Sequence, residues 1–479
     1  MDRLSAWKGG DASMIRRVEW ITIAVILAAY LVIGDLYAVR TPAWQAPDEP
    51  AHYNYVRQIA DDHRLPVLKM GDWQQDYQEA LKASGFNPAL LARLETVQYE
   101  DHQPPLYYLL EAPIYALTDG NLKELRLFSV LMGAGVVICA WSTLRLLLAR
   151  WPILALAGAG FVAFIPQHLA ILGSVSNDAL AELVAGLTLL AVVIYLGVNR
   201  PVPSSDGATS APAGSPVEMR DVHPAALGVL VGIALITKTT IYFLAGIAVL
   251  AVLLRWRRER WPRQRGAAHL AAVLIPALLI GGAWWMRNLH VYGGTDFLGL
   301  QRHDAITVGQ MRRTTHIDQI CGGSTRCYLE NFARTTFHSF WGQFGWMALP
   351  MPTTVYRVFL LFTLAVLAGA LFFAWRHHWP RSLDGPPRDA LIAFAAVIVL
   401  VGAEYVLYNR TFVQFQGRYL YPALIPLGFL VAIGLGGWTS LVERRFPVLA
   451  GLPVAAMAGL AAFAVYALES YIVPNLPVW

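Results

Sequence analysis

The sequence predicts an all-α polytopic membrane protein with about eleven transmembrane helices, within a range of roughly 10 to 13. Of its 479 residues, 56% are hydrophobic and only 14% are charged. Soluble domains contain about 25% charged residues, and the mean hydropathy here is +0.46. Apolar stretches of roughly 15 to 24 residues recur along the chain, and this is the length that a helix needs to cross the hydrocarbon core.

Arginine clusters orient these helices, because cytoplasmic loops of membrane proteins carry an excess of Lys and Arg. The strongest cluster runs from Arg255 to Arg265, and smaller clusters lie before the first span and between other spans. The first span is too long for a signal peptide and lacks a small-residue cleavage site, so we expect an anchor. If every cluster is cytoplasmic, the spans lie near residues 18–38, 125–148, 152–167, 177–198, 223–237, 239–256, 267–288, 354–375, 389–408, 420–439 and 448–471.

This arrangement predicts two large extracytoplasmic loops, residues 39–124 and 289–353. The apolar stretch 104–118 is predicted as a juxtamembrane helix, because a full crossing there would invert every later loop against the arginine bias. The Pro/Ser/Ala/Gly tract 201–216 is typical of a flexible cytoplasmic linker. We therefore expect a seven-span module with the first loop (1–288), a second outer loop (289–353) and C-terminal transmembrane helices (354–479).

Two of the three cysteines are predicted to form a disulfide. Cys321 and Cys327 flank the segment Gly-Gly-Ser-Thr-Arg in the second outer loop. Such a spacing can close a small ring, and the oxidising side of a bacterial inner membrane permits disulfides. A metal-binding pair is the alternative, although no histidine lies at zinc-finger spacing. Cys139 falls inside a span and is expected to pack as a small apolar residue.

The first candidate site is the segment PDEPAH (47–52), ten residues after the first span. Charges beside a membrane end must stay solvated or be paired, so Asp48, Glu49 and His52 point to a functional site. One interpretation is a general base oriented by a neighbouring carboxylate and a histidine. The other is a helix cap, because Asp before a proline in the first turn is a common helix start. The residue types alone do not separate these two interpretations.

A second acidic cluster, Glu100, Asp101 and His102, precedes the apolar stretch at 104. Prolines at 104 and 105 favour an extended entry, and the tyrosines that follow suit the membrane interface. Taken alone, this cluster reads as a polar loop with an aromatic anchor. Together with the first cluster, it gathers carboxylates on one face of the membrane.

Basic residues are also expected on that face. Lys238 lies at the turn between two short spans, Arg287 ends another span, and Arg418 and Tyr419 enter the span at 420. Each cation has the alternative of snorkelling to lipid headgroups. Cations and carboxylates on one face suit a phosphate-bearing ligand that is attacked by a base-activated hydroxyl. No Gly-rich phosphate loop is present, which argues against a cytoplasmic nucleotide donor, and no nucleic-acid partner is predicted.

Five segments resemble a known family when they are read together. The chain resembles the bacterial C-fold (GT-C) glycosyltransferases that use polyprenyl-phosphate sugars, such as aminoarabinose and O-mannosyl transferases. It is most similar to a poorly characterised bacterial branch with a Pro-Asp-Glu-x-x-His first loop. The resemblance runs from about residue 20 to 430, in PDEPAHYNYVRQIADDHRLPV (47–67), HQPPLYYLL (102–110), GSVSNDAL (173–180), LITKTT (235–240) and QGRYLYPAL (416–424).

The resemblance implies roles for some of the candidate residues, and Lys238 and Arg418 fall where such enzymes hold the lipid phosphate. Asp48 matches the catalytic aspartate of the first loop, and Glu100 or Asp101 matches the second acidic position. Gln103 interrupts the usual His-Pro-Pro motif, which leaves the role of His102 open. The expected catalytic residues are Asp48, Glu49, Glu100 and Asp101, and the expected donor- and phosphate-binding residues are Lys238, Arg287, Arg418, His52, His102 and Tyr419.

The sequence therefore predicts an inverting glycosyltransferase of the bacterial inner membrane, with its active site facing the periplasm or exterior. It would move a sugar from a polyprenyl-phosphate donor to a lipid, glycan or protein acceptor. A transporter, flippase or lipid-binding protein is the alternative, although charges near the midplane and an inverted repeat are then expected. A polysaccharide ligase or polymerase would share the donor chemistry. No cofactor is predicted firmly, and a divalent cation held by Asp48, His52 and Asp101 stays an open alternative.

Overall fold

The computed structural model describes residues 12–198, 221–379, 381–442 and 445–477. Within these ranges the chain is predominantly helical, and its strands are two antiparallel two-residue pieces, β1 (Gln343–Phe344) and β2 (Leu349–Pro350). The expected linker 201–216 and the arginines at 200, 220 and 444 lie outside the described residues. The prediction of an all-α polytopic membrane protein is confirmed.

Eighteen α-helices follow one another along the described ranges. In chain order they are α1 (Ala12–Arg40), α2 (Glu49–Asp62), α3 (Gln75–Ala83), α4 (Leu106–Leu117), α5 (Leu122–Leu147), α6 (Pro152–Phe164), α7 (Pro166–Leu172), α8 (Asp178–Leu196), α9 (Pro224–Leu235), α10 (Phe243–Glu259), α11 (Arg263–Tyr292), α12 (Leu300–Ile306), α13 (Arg313–Thr315), α14 (Thr325–Trp341), α15 (Thr353–Arg376), α16 (Gly385–Asn409), α17 (Leu424–Val442) and α18 (Leu452–Ala467).

In the described part of the chain, nine helices are long and apolar enough to cross a membrane. The expected span 152–167 corresponds to the pair α6 and α7, which is bent by 61°. The expected span 223–237 corresponds to α9, which has only 12 residues. Helix α4 also has 12 residues, whereas a perpendicular crossing needs about 20. The count of eleven spans therefore stays a prediction.

Local sequence sets several helix ends. Asn121 caps α5 by accepting a hydrogen bond from the Lys123 backbone N–H at 3.0 Å. Ser324 caps α14 in the same way, from the Cys327 N–H at 3.2 Å. Asn and Ser are preferred at this position because their side chains satisfy N–H groups that lack a helical partner.

Both connections that were expected to be large loops are folded. The chain between α1 and α5 contains α2, α3, the 3-10 helix Pro88–Thr96 and α4, and it encloses a small core that includes Leu81, Phe86 and Tyr99. The chain between α11 and α15 contains α12, α13, the π-helix His316–Ile320, α14 and the two strands. Cys321 and Cys327 form a disulfide there, with their Cα atoms 5.6 Å apart.

Glycines allow the last helices to pack closely on the bundle. A Cβ atom at Gly437 of α17 would overlap the Gly369 carbonyl of α15, and one at Gly434 would overlap the Val366 carbonyl. Small residues at such contacts let membrane helices approach backbone to backbone. This packing holds α17, and with it the segment that leads into α17, in a defined position.

Candidate active site

Four charged side chains from distant parts of the chain meet at one place. Asp48 lies just before α2, Asp178 is the first residue of α8, Lys238 follows α9, and Arg418 lies in the 3-10 helix Gly417–Ala423 that leads into α17. Lys238 Nζ lies 2.6 Å from Asp178 Oδ1. Arg418 Nη2 donates to Asp48 Oδ2, and its Nη1 lies 3.7 Å from Asp178 Oδ2. Two carboxylates and two cations thus form one chain of ion pairs, in the order Lys238, Asp178, Arg418 and Asp48.

Asp48 is the N-terminal cap residue of α2, but its side chain does not cap the helix. Its backbone carbonyl accepts the first N–H groups of α2, but its carboxylate makes no capping hydrogen bond. The backbone φ is 66°, a left-handed value that Asp tolerates better than most residues. The carboxylate instead accepts from the Tyr99 hydroxyl at 2.8 Å and from Arg418.

The charge balance around Asp48 decides its protonation. Burial alone would raise the pKa of Asp48, but the positive charge of Arg418 and the hydrogen bonds from Arg418 and Tyr99 lower that pKa to about 2. The side chain keeps 24% of its surface exposed. Asp48 is therefore an ionised and reachable carboxylate that a cation already holds.

Glu100 is a second carboxylate in an opposite electrostatic environment. Burial and the negative charge of Asp48 raise the pKa of Glu100 to about 7, against the lowering effect of His303 and Lys238. Two carboxyl groups whose pKa values are driven apart by their surroundings are typical of sites that transfer protons.

His52 faces the same cluster as a neutral imidazole. Its Nδ1 lies 2.9 Å from the Tyr108 hydroxyl oxygen, which also accepts from the Asn177 amide at 3.2 Å. Burial, together with the charge of Lys238, lowers the pKa of His52 to about 3 despite the nearby Asp48. His52 can therefore donate or accept a hydrogen bond here but contributes no charge.

Glu49, which the sequence places among the expected catalytic residues, makes a buried ion pair. Its side chain is fully buried, and its two oxygens accept from Arg126 Nε at 2.7 Å and Arg126 Nη2 at 2.6 Å. The backbone N–H groups of Trp44 and Val175 complete its contacts at 3.0 and 3.2 Å. Both oxygens of this carboxylate are occupied by hydrogen bonds within the fold, so we infer that Glu49 anchors the loop that carries Asp48.

Asp101 and His102 are buried, and their hydrogen-bond partners lie outside the four-residue cluster. Asp101 accepts from Gln58 Nε2 at 3.0 Å through both oxygens, and burial raises its pKa well above the usual range. His102 Nδ1 lies 3.2 Å from the Tyr99 carbonyl oxygen. Burial and the neighbouring His303, whose ring centre is 4.5 Å away, lower the pKa of His102. Both residues support the segment that presents Tyr99 and Glu100.

The two remaining predicted residues differ in position. Tyr419 follows Arg418, whose guanidinium lies 5.5 Å from the Tyr419 ring centre. Arg287 makes its bonds elsewhere: it donates to the Pro66 carbonyl and stacks 4.7 Å from the Trp284 ring centre. The expectation that Arg287 joins Lys238 and Arg418 is not met in this geometry, because its guanidinium binds the Pro66 carbonyl within the first loop.

No metal centre emerges from the described residues. Within them, no group of three or more His, Cys, Asp or Glu side chains is arranged to hold an ion. In particular, Asp101 is engaged by Gln58, while Asp48 is engaged by Arg418. The alternative of a cation bound by Asp48, His52 and Asp101 therefore gains no support from the arrangement.

Sequence reasoning did not single out Asp178 as a site residue, nor Arg126 as the partner of Glu49. Asp178 joins both cations, yet in the segment SVSND it reads as part of a helix start, and Ser176 Oγ does accept from the Asp178 N–H at 3.2 Å. Arg126 reads as an ordinary charge at the end of a span. A search for acids at the first position of apolar helices would have found Asp178.

Comparison with known proteins yields a structural likeness only. No family model and no curated protein matches this chain. It is similar to crystal structures of ArnT from Cupriavidus metallidurans, one bound to undecaprenyl phosphate and one in the apo state. The first shares 15% identity over 95% of this chain and 73% of that chain, with a TM-score of 0.47. The second shares 14% over 97% and 74%, with a TM-score of 0.48. Likeness at this level assigns no function to any residue.

Proposed function

We propose that this chain is an integral membrane glycosyltransferase. It moves a sugar from a polyprenyl-phosphate donor to a hydroxyl group of a lipid, glycan or protein acceptor, at the extracytoplasmic face of a bacterial inner membrane. The observation that carries the proposal is the cluster of Asp48, Asp178, Lys238 and Arg418, where a reachable carboxylate is paired with one buried cation and a second buried cation joins through Asp178. The motif resemblance described from the sequence supports the same class.

The position of the cations suits a lipid-linked phosphate. Lys238 directly precedes one apolar segment, and Arg418 lies in the first turn of another. Their carboxylate partner Asp178 begins a third apolar segment. A ligand whose tail lies in the bilayer would therefore bring its phosphate to the level of these side chains. A phosphate that leaves a sugar gains negative charge, and fixed cations stabilise that charge more in the transition state than in the ground state.

Asp48 is the proposed general base. It accepts the proton of the acceptor hydroxyl while the acceptor oxygen bonds to the anomeric carbon from the face opposite the phosphate, which inverts the configuration. The bond from that carbon to the phosphate oxygen breaks, and its electron pair stays on the phosphate. Glu100, ionised above a pKa of about 7, lies near Asp48 and orients the acceptor hydroxyl.

Lipid analysis of the purified protein tests this proposal directly. The full chain is reconstituted in nanodiscs, and undecaprenyl phosphate binding is measured by native mass spectrometry. We expect saturable binding that is weakened, but not abolished, in Lys238→Ala and Arg418→Ala variants that remain folded, because each of them keeps one of the two cations. No binding by the wild-type chain, or wild-type affinity in both variants, would reject the lipid-phosphate donor and favour the transporter class.

A further inference from the structure

Both cations of the candidate site are already engaged by carboxylates. Lys238 holds Asp178, and Arg418 contacts both Asp48 and Asp178. The side chains of Lys238 and Arg418 are only 9% and 6% exposed. The cluster pairs two negative with two positive charges, so an incoming phosphate has no unpaired cation to bind. It must share a cation or displace a carboxylate.

Arg418 is the cation that can change partner most easily. A guanidinium has five N–H donors in a planar fork. Here Nη2 serves Asp48 and Nη1 lies near Asp178, while Nε is buried and makes no hydrogen bond to any described residue. Arg418 therefore has a donor to offer a phosphate oxygen while it still contacts the carboxylates.

Asp48 is the carboxylate that can lose its ion pair with Arg418 at the lower cost. It keeps the Tyr99 hydrogen bond at 2.8 Å on its other oxygen, so losing Arg418 does not leave it without a partner. Asp178, by contrast, is shared between Lys238 and Arg418 and remains as their common counter-ion. Ion pairing also makes Asp48 a weak base, because a carboxylate bound to a guanidinium resists protonation.

We propose that Arg418 exchanges its partner Asp48 for the leaving phosphate during sugar transfer. One guanidinium would then couple two events, the protonation of Asp48 and the growth of negative charge on the phosphate. When the acceptor proton reaches Asp48, this carboxyl group becomes neutral and loses its hold on Arg418. The electron pair of the broken bond between the anomeric carbon and the phosphate oxygen stays on the phosphate, which now binds Arg418. The proposal rests on the function proposed above.

The exchange predicts that a catalytically impaired variant binds the product more tightly. Asp48→Asn keeps the shape of the side chain but removes the charge that competes for Arg418. We expect its affinity for undecaprenyl phosphate to rise about tenfold, since one hydrogen bond to a charged group has about that effect. In an Arg418→Gln background, the same Asp48→Asn change should have no effect on affinity. Asp48→Ser serves as a second variant if Asp48→Asn does not fold.

Glu95→Gln is the charge-matched control, because Glu95 pairs with Arg57 at 3.3 Å on the surface and is 64% exposed. Its affinity should equal that of the wild type. Equal or weaker binding by the Asp48 variants, or tightening that persists in the Arg418→Gln background, would overturn the exchange. Failure of the wild-type chain to bind undecaprenyl phosphate would instead overturn the proposed donor class, so the two failures are distinguishable.

Discussion

Glu49 and Arg126 form a bidentate ion pair that is almost completely shielded from solvent, with side chains 0% and 2% exposed. Arg126 Nη1 also donates to the carbonyls of Ala38 and Thr41 at 3.0 and 2.7 Å. One guanidinium of α5 thus ties the end of α1 to the start of α2. Since Asp48 directly precedes Glu49, this pair sets the position of the proposed base.

We expect Arg126→Gln to destabilise the fold, because it leaves the Glu49 carboxylate buried without a counter-ion. Breaking such a pair costs about 3–5 kcal/mol, which thermal unfolding in detergent will detect. The double variant Glu49→Gln/Arg126→Gln should be less destabilised than the single one. Arg57→Gln is the control, since its exposed pair with Glu95 is worth about 0–1 kcal/mol. Equal losses of unfolding free energy in Arg126→Gln and Arg57→Gln would contradict the anchoring role.

Replacing Asp48 with Asn should abolish the proposed general base while preserving size. Loss of such a base lowers rates by about 10²–10⁴-fold, and transfer from a lipid-linked donor in nanodiscs is the measurement. Glu100→Gln and Asp101→Asn are made in parallel. Near-normal turnover by Asp48→Asn, with an inactive Glu100 or Asp101 variant, would move the base to the second acidic cluster.

The two cations should differ in how well they can be replaced. Lys238→Ala and Arg418→Ala are each expected to slow transfer strongly while membrane insertion stays intact. Arg418→Lys should rescue only part of the rate, because the fork that contacts Asp48 and Asp178 is lost. Arg287→Ala, which removes a side chain bound to the Pro66 carbonyl, should affect transfer less. A larger loss for Arg287→Ala than for Arg418→Ala would contradict this order.

The rate of transfer should depend on the protonation of Glu100. Burial and Asp48 raise its pKa to about 7, so Glu100 binds a proton below that pH and is ionised above it. Because the ionised form orients the acceptor, the rate should rise as the pH increases through about 7. The pKa of Asp48, about 2, adds no step in this range. A pH profile that keeps its inflection in Glu100→Gln would disprove the assignment.

Cysteine labelling can test the predicted orientation with little background. In the wild-type chain, Cys139 is buried and the other two cysteines form a disulfide. Single cysteines at Gln75 and Gln310 should react with an impermeant maleimide in intact cells, and one at Arg263 should react only after lysis. Protection of Gln75 or Gln310 until lysis would place the acidic cluster on the cytoplasmic side.

The helices were the predictable part of this fold, because apolar length and arginine bias are local signals. The same bias treats Arg255 as a solvated charge at the cytoplasmic end of a span, whereas in the structure it is buried and its Nη1 donates to the Tyr195 carbonyl at 2.7 Å. The bend between α6 and α7 also lacks a length signal, since the whole segment is apolar. Pro166 at the start of α7 is the one local sequence signal for this bend, because proline disrupts a continuous helix.

The site was predictable only in part, since its pairs connect residues far apart in the chain. Lys238 and Arg418 stood out because cations at those span ends oppose the orientation bias. Their carboxylate partner Asp178 did not, because an acid at the start of a helix is common for local reasons. Arg126 lies 77 residues from Glu49, and no periodic pattern encodes that contact.

The ion pair between Asp48 and Arg418 joins positions that are 370 residues apart. A ribosome therefore delivers the acidic half of the site long before the helices that hold the guanidinium have entered the bilayer. Until then Asp48 lacks this partner, and the four-residue cluster is complete only when α17 has packed against α6 and α15. If the proposed function holds, we expect a nascent chain halted before Gly417 to be inserted in the membrane but inactive.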